Sequence, residues 1–420
     1  MDARFNDLVP GFPYQWQNLA TWQSQIATAM SQVETDKAEI YAIAPFNEPD
    51  NKFQGAFMTD PALQGSTYDA RVNYLWTVTV RQIRAVDASI PVIGPNYEFY
   101  TPWSDAGDQT RMQNFLQNAI ATGTTPTIIG WHSLGPSPGD VPAALTGYYR
   151  PLEQQPNVPG APLPVDVEEY GPGTDDFEGV PGSMVKFWVE FERYGVSHAD
   201  MGIYTNPGPL GNSLRRTFGG ALEPDGGWYM MNWYKQMQGQ RIFVSRWDTR
   251  HYQATGGLAS WDPAGKSVTV LVGGEDTDVG VNVLGLAARG LGPNVRVQLD
   301  YTAWTTDPNA TNANVQDGGD PETGTFNLCD KTMPLDSSGN LTVPINRMEG
   351  YNGYRIVISP AGPTGSYPTK YEAEYATVTD ANLSVFDYDS LPDCVGGINN
   401  ADSSVNFAID APAAGNYTLT

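Results

Sequence analysis

Short apolar segments alternate with amphipathic stretches through the first 240 residues of the chain. Five apolar runs have the length expected of buried strands, and they cover residues 40–44, 91–94, 127–131, 163–167 and 201–204. Apolar side chains recur at helical spacing near residues 15–33, 70–86, 110–121 and 183–194. Strands that alternate with helices are typical of a parallel sheet. The pattern therefore predicts an α/β fold, with a (β/α)8 barrel as the expected architecture.

The pattern changes near residue 240. Between residues 241 and 360 the apolar runs become short and alternate with polar residues, as in 267–272 and 354–358, which is typical of a β-sandwich. A linker rich in Pro and Gly covers 360–366, and another strand-rich segment begins at Tyr371. We therefore predict three domains, which are a partial barrel at 1–240, a β-sandwich at 241–360 and a partial module at 367–420.

Composition narrows the range of functions. Lys and Arg total 23 against 47 Asp and Glu, which gives the chain a formal net charge of −24. Nucleic-acid partners need clustered positive charge, and the same balance argues against binding to an anionic membrane surface. No apolar run approaches the roughly 18 residues of a membrane-spanning helix. With only 2 Cys and 3 His, the sequence also argues against a disulfide framework or a Cys/His metal site.

Carboxylates follow two of the predicted strands. Asn47-Glu48-Pro49 comes soon after the strand at 40–44, and the strand at 163–167 leads directly into Glu168 and Glu169. The carboxyl ends of parallel strands meet at one edge of a sheet, so these groups would face one pocket. Glycoside hydrolysis needs such a pair, one carboxylic acid and one carboxylate. A helix-capping or surface role is the alternative for Glu48, and strand alternation favours Glu169 over Glu168.

These motifs resemble those of clan A retaining glycoside hydrolases. Their order is most similar to glycoside hydrolase family 39, because a Gly94-Pro95 strand end and an Ile-Gly-Trp-His-Ser strand at 129–133 lie between the two carboxylates. The resemblance implies a (β/α)8 barrel in which Glu48 is the general acid/base and Glu169 is the nucleophile. It also implies that Asn47 binds the sugar hydroxyl next to the anomeric carbon. Catalysis would need no cofactor, and the substrate would be a polysaccharide or oligosaccharide.

Three residues at strand ends are further candidates for contact with the sugar. Trp131 and His132 lie at the end of the strand at 127–131, and Tyr204 ends the strand at 201–204. An aromatic ring at such a position can stack on the apolar face of a pyranose. For His132 a purely structural role is an equal alternative.

The C-terminal segment resembles carbohydrate-binding modules of families 6 and 35. Its Tyr371-Glu372-Ala373-Glu374 segment matches the opening strand of those modules. The resemblance implies that Glu372 and Glu374 help to hold a structural calcium ion. The segment from Tyr371 to Thr420 is well short of a β-sandwich of about 100 residues, so we expect the module to be partial.

The start of the chain leads to an expectation about the barrel. Fewer than 40 residues precede Ile40, whereas three βα units need about 75 or more. We therefore expect barrel strands one to three to be absent, and activity to belong to a longer parent rather than to this chain. That parent is expected to be secreted, although the first residues lack a secretory signal. The alternative function is that of a non-catalytic carbohydrate-binding protein with a degenerate barrel.

Overall fold

The chain contains two compact units. One comprises Met1–Gly173 with Glu190–Gly202, and the other comprises Thr174–Val189 with Ile203–Thr420. The computed structural model describes residues 2–4, 19–52, 63, 67–134, 138–155, 157–171, 179–202, 214–218, 221–245, 255–304, 324–361, 377–380, 382–385, 393–396 and 398–407. This division does not test a domain boundary at residue 240, so the three predicted domains stay a prediction.

Parallel strands form the sheet of the first unit. They are β1 (Asp2–Arg4), β2 (Ala42–Ala44), β3 (Ile93–Tyr97), β4 (Ile128–Leu134), β5 (Val165–Gly171) and β6 (His198–Met201). β1 pairs with β2, an isolated parallel bridge joins Ile43 to Val92, and β3 to β6 pair in chain order. Strands that are neighbours along the chain are therefore neighbours in the sheet, as the (β/α) pattern predicted.

The structure differs from the sequence-based expectation at two strands. A three-residue strand, β1, lies beside β2, so the expectation that no strand precedes residues 40–44 is wrong. The last described strand of the sheet is His198–Met201, which begins before the predicted strand at 201–204 because His198 and Ala199 pair with Asp166 and Val167 of β5. Residues 203 and 204 lie outside the described residues. Strands of three or four residues are too short to show a hydrophobic period, so pairing with a neighbour decides where they lie.

Helices separate the strands along the chain. The longer ones are α1 (Leu19–Asp36), α2 (Tyr68–Val86), α3 (Ala106–Thr122) and α4 (Pro181–Tyr194). Short helical segments lie at Lys37–Glu39, Pro49–Lys52, Asp140–Pro142, Ala143–Tyr149 and Arg150–Gln154. The side chain of Thr67 caps α2 by accepting a hydrogen bond from the Ala70 N–H. Asp105 caps α3 in the same way, and Gly123 ends that helix in the left-handed conformation at φ 70°.

Trp76 is the centre of the contact between α2 and β3. Its ring is fully buried, packs edge-on against Phe115 of α3 and lies 5.9 Å from the ring of Phe46. Its Nε1 donates a hydrogen bond to the Thr124 carbonyl oxygen at 2.9 Å. A Cβ added at Gly94 would overlap the Trp76 ring. Gly94, which belongs to the Gly-Pro strand end noted in the sequence, therefore allows α2 to pack closely on β3.

Antiparallel strands dominate the second unit. Its elements are β7 (Arg215–Phe218), β8 (Ala221–Pro224), α5 (Gly226–Gln236), β9 (Gln240–Ile242), β10 (Gly256–Asp262), β11 (Ser267–Gly273), β12 (Thr277–Val283), a short helix at Ala287–Arg289, β13 (Asn294–Thr302), β14 (Phe326–Pro334), β15 (Leu341–Met348) and β16 (Gly353–Pro360). A six-stranded sheet has the order β14-β13-β16-β11-β10-β9, and β12 pairs with β15. Residues of both sheets share one core, for example Val295 and Ile356 with Val343 and Ile345. Two sheets that share a core are compatible with the β-sandwich predicted at 241–360, which stays a prediction.

Four short strands follow in the C-terminal segment. β17 (Thr377–Thr379) pairs with β20 (Ser404–Asn406), and β18 (Asn382–Val385) pairs with β19 (Asp393–Gly396), both in antiparallel fashion. Glu372 and Glu374, the predicted calcium ligands, lie outside the described residues. Throughout the part of the chain that the structure describes, no helix combines the length and the apolar character needed to cross a membrane.

Gly94→Ala is expected to lower the free energy of unfolding by about 1–3 kcal/mol, because the added methyl group must displace the Trp76 ring. Urea denaturation followed by tryptophan fluorescence measures the change. Gly147→Ala is the control, since an added Cβ there meets no neighbouring atom within 4 Å and Ala favours a helix more than Gly, so the unfolding midpoint should not fall. Equal midpoints for the two variants would show that the Trp76–Gly94 contact does not limit packing.

Candidate active site

Two carboxylates that lie far apart in the sequence meet at one histidine. Glu48 follows β2, His132 belongs to β4 and Glu169 belongs to β5. Nδ1 of His132 is 3.3 Å from Oε1 of Glu48 and 3.3 Å from Oε2 of Glu169. These three atoms all lie within 4.8 Å of one another. The carboxyl edge of the parallel sheet therefore brings the predicted pair together.

All three side chains are shielded from solvent. Glu48 is 6% exposed, Glu169 is 8% exposed and His132 is 2% exposed. Burying a carboxylate is costly unless a donor or a positive charge pairs with it. Nδ1 of His132 makes a hydrogen bond with Oε1 of Glu48, in which the donor depends on the tautomer of the ring. Oε2 of Glu169 lies at the same 3.3 Å from this nitrogen, so a protonated His132 would place a positive charge beside both acids.

A bulge in β5 decides which of two adjacent glutamates makes this contact. Trp131 pairs with Val167 and His132 pairs with Glu169, so Glu168 is an extra residue in β5. An extra residue breaks the regular alternation of faces along a strand and changes the direction of the side chains beside it. The structure brings Glu169 to His132, as the motif favoured, although the bulge interrupts the regular alternation on which the sequence argument also rested.

The turn that carries Glu48 has an unusual backbone. Glu48 adopts a left-handed conformation with φ 48°, and Asn96, just beyond Pro95, has φ 58°. The Glu48 N–H donates to the carbonyl oxygen of Asn96 at 2.9 Å. Nδ2 of Asn96 donates to the carbonyl oxygen of Phe46 at 3.2 Å. The chain on either side of Asn47 is therefore tied to β3.

A second contact holds the same turn two residues further along. Oδ1 of Asp50 accepts a hydrogen bond from the Glu98 N–H at 2.8 Å, and Oδ2 lies 3.5 Å from Nη1 of Arg111. Nη1 of Arg111 also pairs with Asp108 at 2.9 Å, and the guanidinium lies over the ring of Tyr97. Burial raises the pKa of Asp50 to about 6, while the Glu98 N–H and Arg111 act in the opposite direction.

The other predicted sugar contacts have different outcomes. Asn47 is buried directly beside Glu48, where the prediction requires it. Trp131 lies in the core, with its ring 5.3 Å from that of Tyr100 and 5.7 Å from that of Tyr149, so its place is that of a core residue rather than a sugar platform. Tyr204 lies outside the described residues.

Asn96, Asp50 and Arg111 were not among the residues that the sequence singled out. Asn96 and Asp50 each follow a proline close to a strand end, and Asn is among the residues that tolerate the left-handed conformation. That signal marks a turn but does not identify a partner. Arg111 carries no local signal, because its contact with Asp50 joins two distant parts of the chain.

Glu48, His132 and Glu169 are also close enough together to be considered as metal ligands. Glycoside hydrolysis by a pair of carboxyl groups needs no metal ion.

The fold is that of barrel glycoside hydrolases. A glycoside hydrolase family 39 enzyme from Xanthomonas axonopodis pv. citri aligns with a TM-score of 0.52 at 14% identity, over 82% of this chain and 74% of that chain. A monomeric beta-xylosidase from Caulobacter crescentus aligns with a TM-score of 0.52 at 15% identity, over 82% of this chain and 76% of that chain. The predicted resemblance to clan A and family 39 is thus confirmed at the level of the fold.

Two proteins are more similar in sequence. A solved structure from Neocallimastix frontalis has a TM-score of 0.70 and 26% identity, over 86% of this chain and 80% of that chain. A 3-O-alpha-D-galactosyl-alpha-L-arabinofuranosidase from Bifidobacterium longum subsp. longum is 25% identical over 337 residues, which is 74% of this chain. The chain spans 28% of the length of that curated relative. No family model matches the chain.

Asp50→Asn is expected to change how stability depends on pH. Because the pKa of Asp50 is higher in the folded chain, the folded state keeps this proton up to about pH 6, whereas the unfolded chain releases it near pH 3.8. The contribution of Asp50 to stability therefore falls as the pH rises from 4 to 7. Asn carries no charge, so the stability of the variant relative to wild type should rise by up to about 3 kcal/mol over this range.

Urea midpoints of both proteins at pH 4.5 and pH 7.5 measure this difference. Asp105→Asn is a suitable control, because it makes the same change from an acid to its amide at an exposed helix cap, where the new side chain can still accept the capping hydrogen bond. A constant difference in the free energy of unfolding between Asp50→Asn and wild type across the pH range would contradict the raised pKa of Asp50 in the folded chain.

Proposed function

We propose that this protein hydrolyses O-glycosidic bonds by double displacement, with Glu48 as general acid/base and Glu169 as nucleophile. The observation that carries the proposal is the contact of both carboxylates with Nδ1 of His132, with the three atoms within 4.8 Å of one another. Retaining enzymes have carboxyl groups about 5–5.5 Å apart, whereas inverting enzymes need about 6.5–9.5 Å to admit a water molecule. The short separation supports the retaining mechanism.

The reaction begins with a proton on Glu48 and a negative charge on Glu169. Glu169 attacks the anomeric carbon while Glu48 gives its proton to the departing glycosidic oxygen, and a covalent glycosyl-enzyme forms. Glu48, now a carboxylate, removes a proton from water, and the resulting nucleophile displaces Glu169 from the anomeric carbon. The sugar leaves with its original configuration, and both glutamates return to their starting states.

Neighbouring residues would support the two acids. His132 would hold the carboxyl group of Glu48 through its hydrogen bond at Nδ1, and the same nitrogen lies 3.3 Å from the charged Glu169. Asn47 precedes Glu48 in the same turn and would bind the hydroxyl next to the anomeric carbon. Such a contact strengthens as positive charge develops on the sugar ring.

Exposed aromatic rings near the same sheet edge support an oligosaccharide or polysaccharide as substrate. Phe99 is 43% exposed, and its backbone pairs with Ser133, the residue after His132. Trp103 is 37% exposed and lies in the segment between β3 and α3, with its ring 6.3 Å from that of Tyr148. Aromatic faces stack on sugar rings, so these residues would bind sugar units beyond the bond that is cleaved.

The C-terminal segment would assist by binding glycan. The described pairs β17–β20 and β18–β19 are antiparallel, as a β-sandwich module requires. Under this proposal residues 367–420 contribute to a carbohydrate-binding module, with Glu372 and Glu374 near its calcium ion. A polysaccharide is too large to enter a cell intact, so a secreted enzyme fits this substrate.

Glu169→Gln is expected to abolish turnover of aryl glycosides, because the amide cannot attack the anomeric carbon. Glu48→Ala should retain activity only on substrates whose leaving group needs no proton, and it should accumulate glycosyl-enzyme that mass spectrometry detects. Glu168→Gln is the control, because it changes the adjacent buried acid and should keep turnover. A fully active Glu169→Gln would refute the assignment, and glycan binding without hydrolysis by wild type would favour the non-catalytic alternative.

Trp103→Ala is expected to lower kcat/KM about tenfold on oligosaccharides relative to aryl glycosides, because only the longer substrate reaches the exposed ring. Tyr74→Ala is the matched control, since Tyr74 is 38% exposed but lies on α2, away from the strand ends. If Trp103→Ala lowered kcat/KM equally on both substrates, or on neither, the ring would not bind additional sugar units.

A further inference from the structure

Glu48 holds a backbone conformation that its side chain does not favour. Its φ of 48° lies in the left-handed region, where residues with a Cβ are uncommon. Such a conformation persists only where the surrounding structure imposes it, and these positions concentrate at functional sites. The contacts of the turn identify what imposes it here.

Asn96 contacts the chain on both sides of Asn47. Its carbonyl oxygen accepts the Glu48 N–H at 2.9 Å, and its Nδ2 donates to the Phe46 carbonyl oxygen at 3.2 Å. These two bonds run in opposite directions between one residue and the turn. Together they hold the turn on both sides of Asn47 against β3.

The surroundings of Asn96 make it a rigid support. It is 1% exposed, and its own φ of 58° is one that Asn adopts more readily than most residues. Pro95 pairs with Gly130 and Tyr97 pairs with Trp131, so Asn96 is an extra residue in β3. Bulges of this kind redirect a side chain beside an active site.

Gly130 leaves room for this side chain. A Cβ added at Gly130 would overlap Oδ1 of Asn96. Gly130 lies in β4, two residues before His132. Asn96 therefore lies between the turn that carries Glu48 and the strand that carries His132. It occupies the space that is open because Gly130 of β4 has no side chain.

We infer that Asn96 is a positioning residue that sets the carboxyl group of Glu48 for proton transfer to the departing oxygen. The inference rests on the proposed function. A general acid works only within hydrogen-bond reach of the atom it protonates, and a displacement of about 1 Å can cost on the order of a hundredfold in rate. Asn96 acts through the backbone on either side of Asn47 rather than on the sugar itself.

The test separates acid catalysis from general damage to the fold. Asn96→Gly removes the side-chain bond to Phe46 while the glycine still adopts the left-handed conformation. We measure kcat/KM on two aryl glycosides of the same sugar, one with a leaving group that needs protonation and one with a strongly acidic leaving group that does not. We expect a loss of about ten- to a hundredfold on the first substrate and less than about threefold on the second.

The ratio of the two values does not depend on the fraction of folded enzyme, so partial unfolding cannot imitate the effect. Asn118→Ala is the control, because its side chain also links separate elements, donating from α3 to Asn73 and Thr77 of α2. This variant should lose stability without a change in the ratio. Equal losses on both substrates for Asn96→Gly, or no loss, would overturn the inference.

Gly130→Ala provides a second variant if Asn96→Gly does not fold. The added methyl group displaces Oδ1 of Asn96 without removing any hydrogen-bonding group, so the ratio should change in the same direction. An unchanged ratio in folded Gly130→Ala would also overturn the inference. The wild-type protein is assayed first on both substrates. If it hydrolyses neither, the proposed function has failed, and this outcome is distinct from a failure of the inference about Asn96.

Discussion

One nitrogen atom, Nδ1 of His132, is the point on which the site depends. Two largely buried carboxylates approach it to 3.3 Å each, from the turn after β2 and from β5. Acids this close are tolerated in a buried place only with a donor between them. The parallel order of the sheet supplies that arrangement, because β4 lies beside β5 and all strands end at the same edge. The packing of α2 on β3 through Trp76 and Gly94 then supports that edge.

Departures from regular strand geometry refine the site. Extra residues in β3 and β5, at Asn96 and Glu168, break the alternation of faces beside the two acids. The left-handed backbone at Glu48 is strained. Hydrogen bonds from the turn to Asn96, to the Glu98 N–H and to the Tyr68 hydroxyl offset the cost of this conformation. Regular strands thus bring Glu48, His132 and Glu169 to one edge of the sheet, while the bulges and the left-handed turn set the direction of the side chains there.

The sequence predicted strands beside Glu48 and Glu169 and the meeting of these two residues, because alternation and polar strand ends are local signals. It made Trp131 a sugar contact, whereas its ring packs in the core, because the sequence alone does not show which way a residue at a strand end faces. It also missed β1 and the true position of β6, whose few residues carry no period. The contact of Asp50 with Arg111 joins distant segments, so no local pattern announces it.

By itself, the sequence determined the class of fold, the acidic and aromatic character of the chain, and the residue types available at the strand ends. These properties depend on composition and on periods of two or 3.6 residues, which are visible along a short stretch of chain. Only the tertiary structure decided that Glu169 rather than Glu168 meets His132, and that Asn96 holds Glu48 in place. Those outcomes depend on the register between strands, and a shift of one residue turns every side chain to the opposite face.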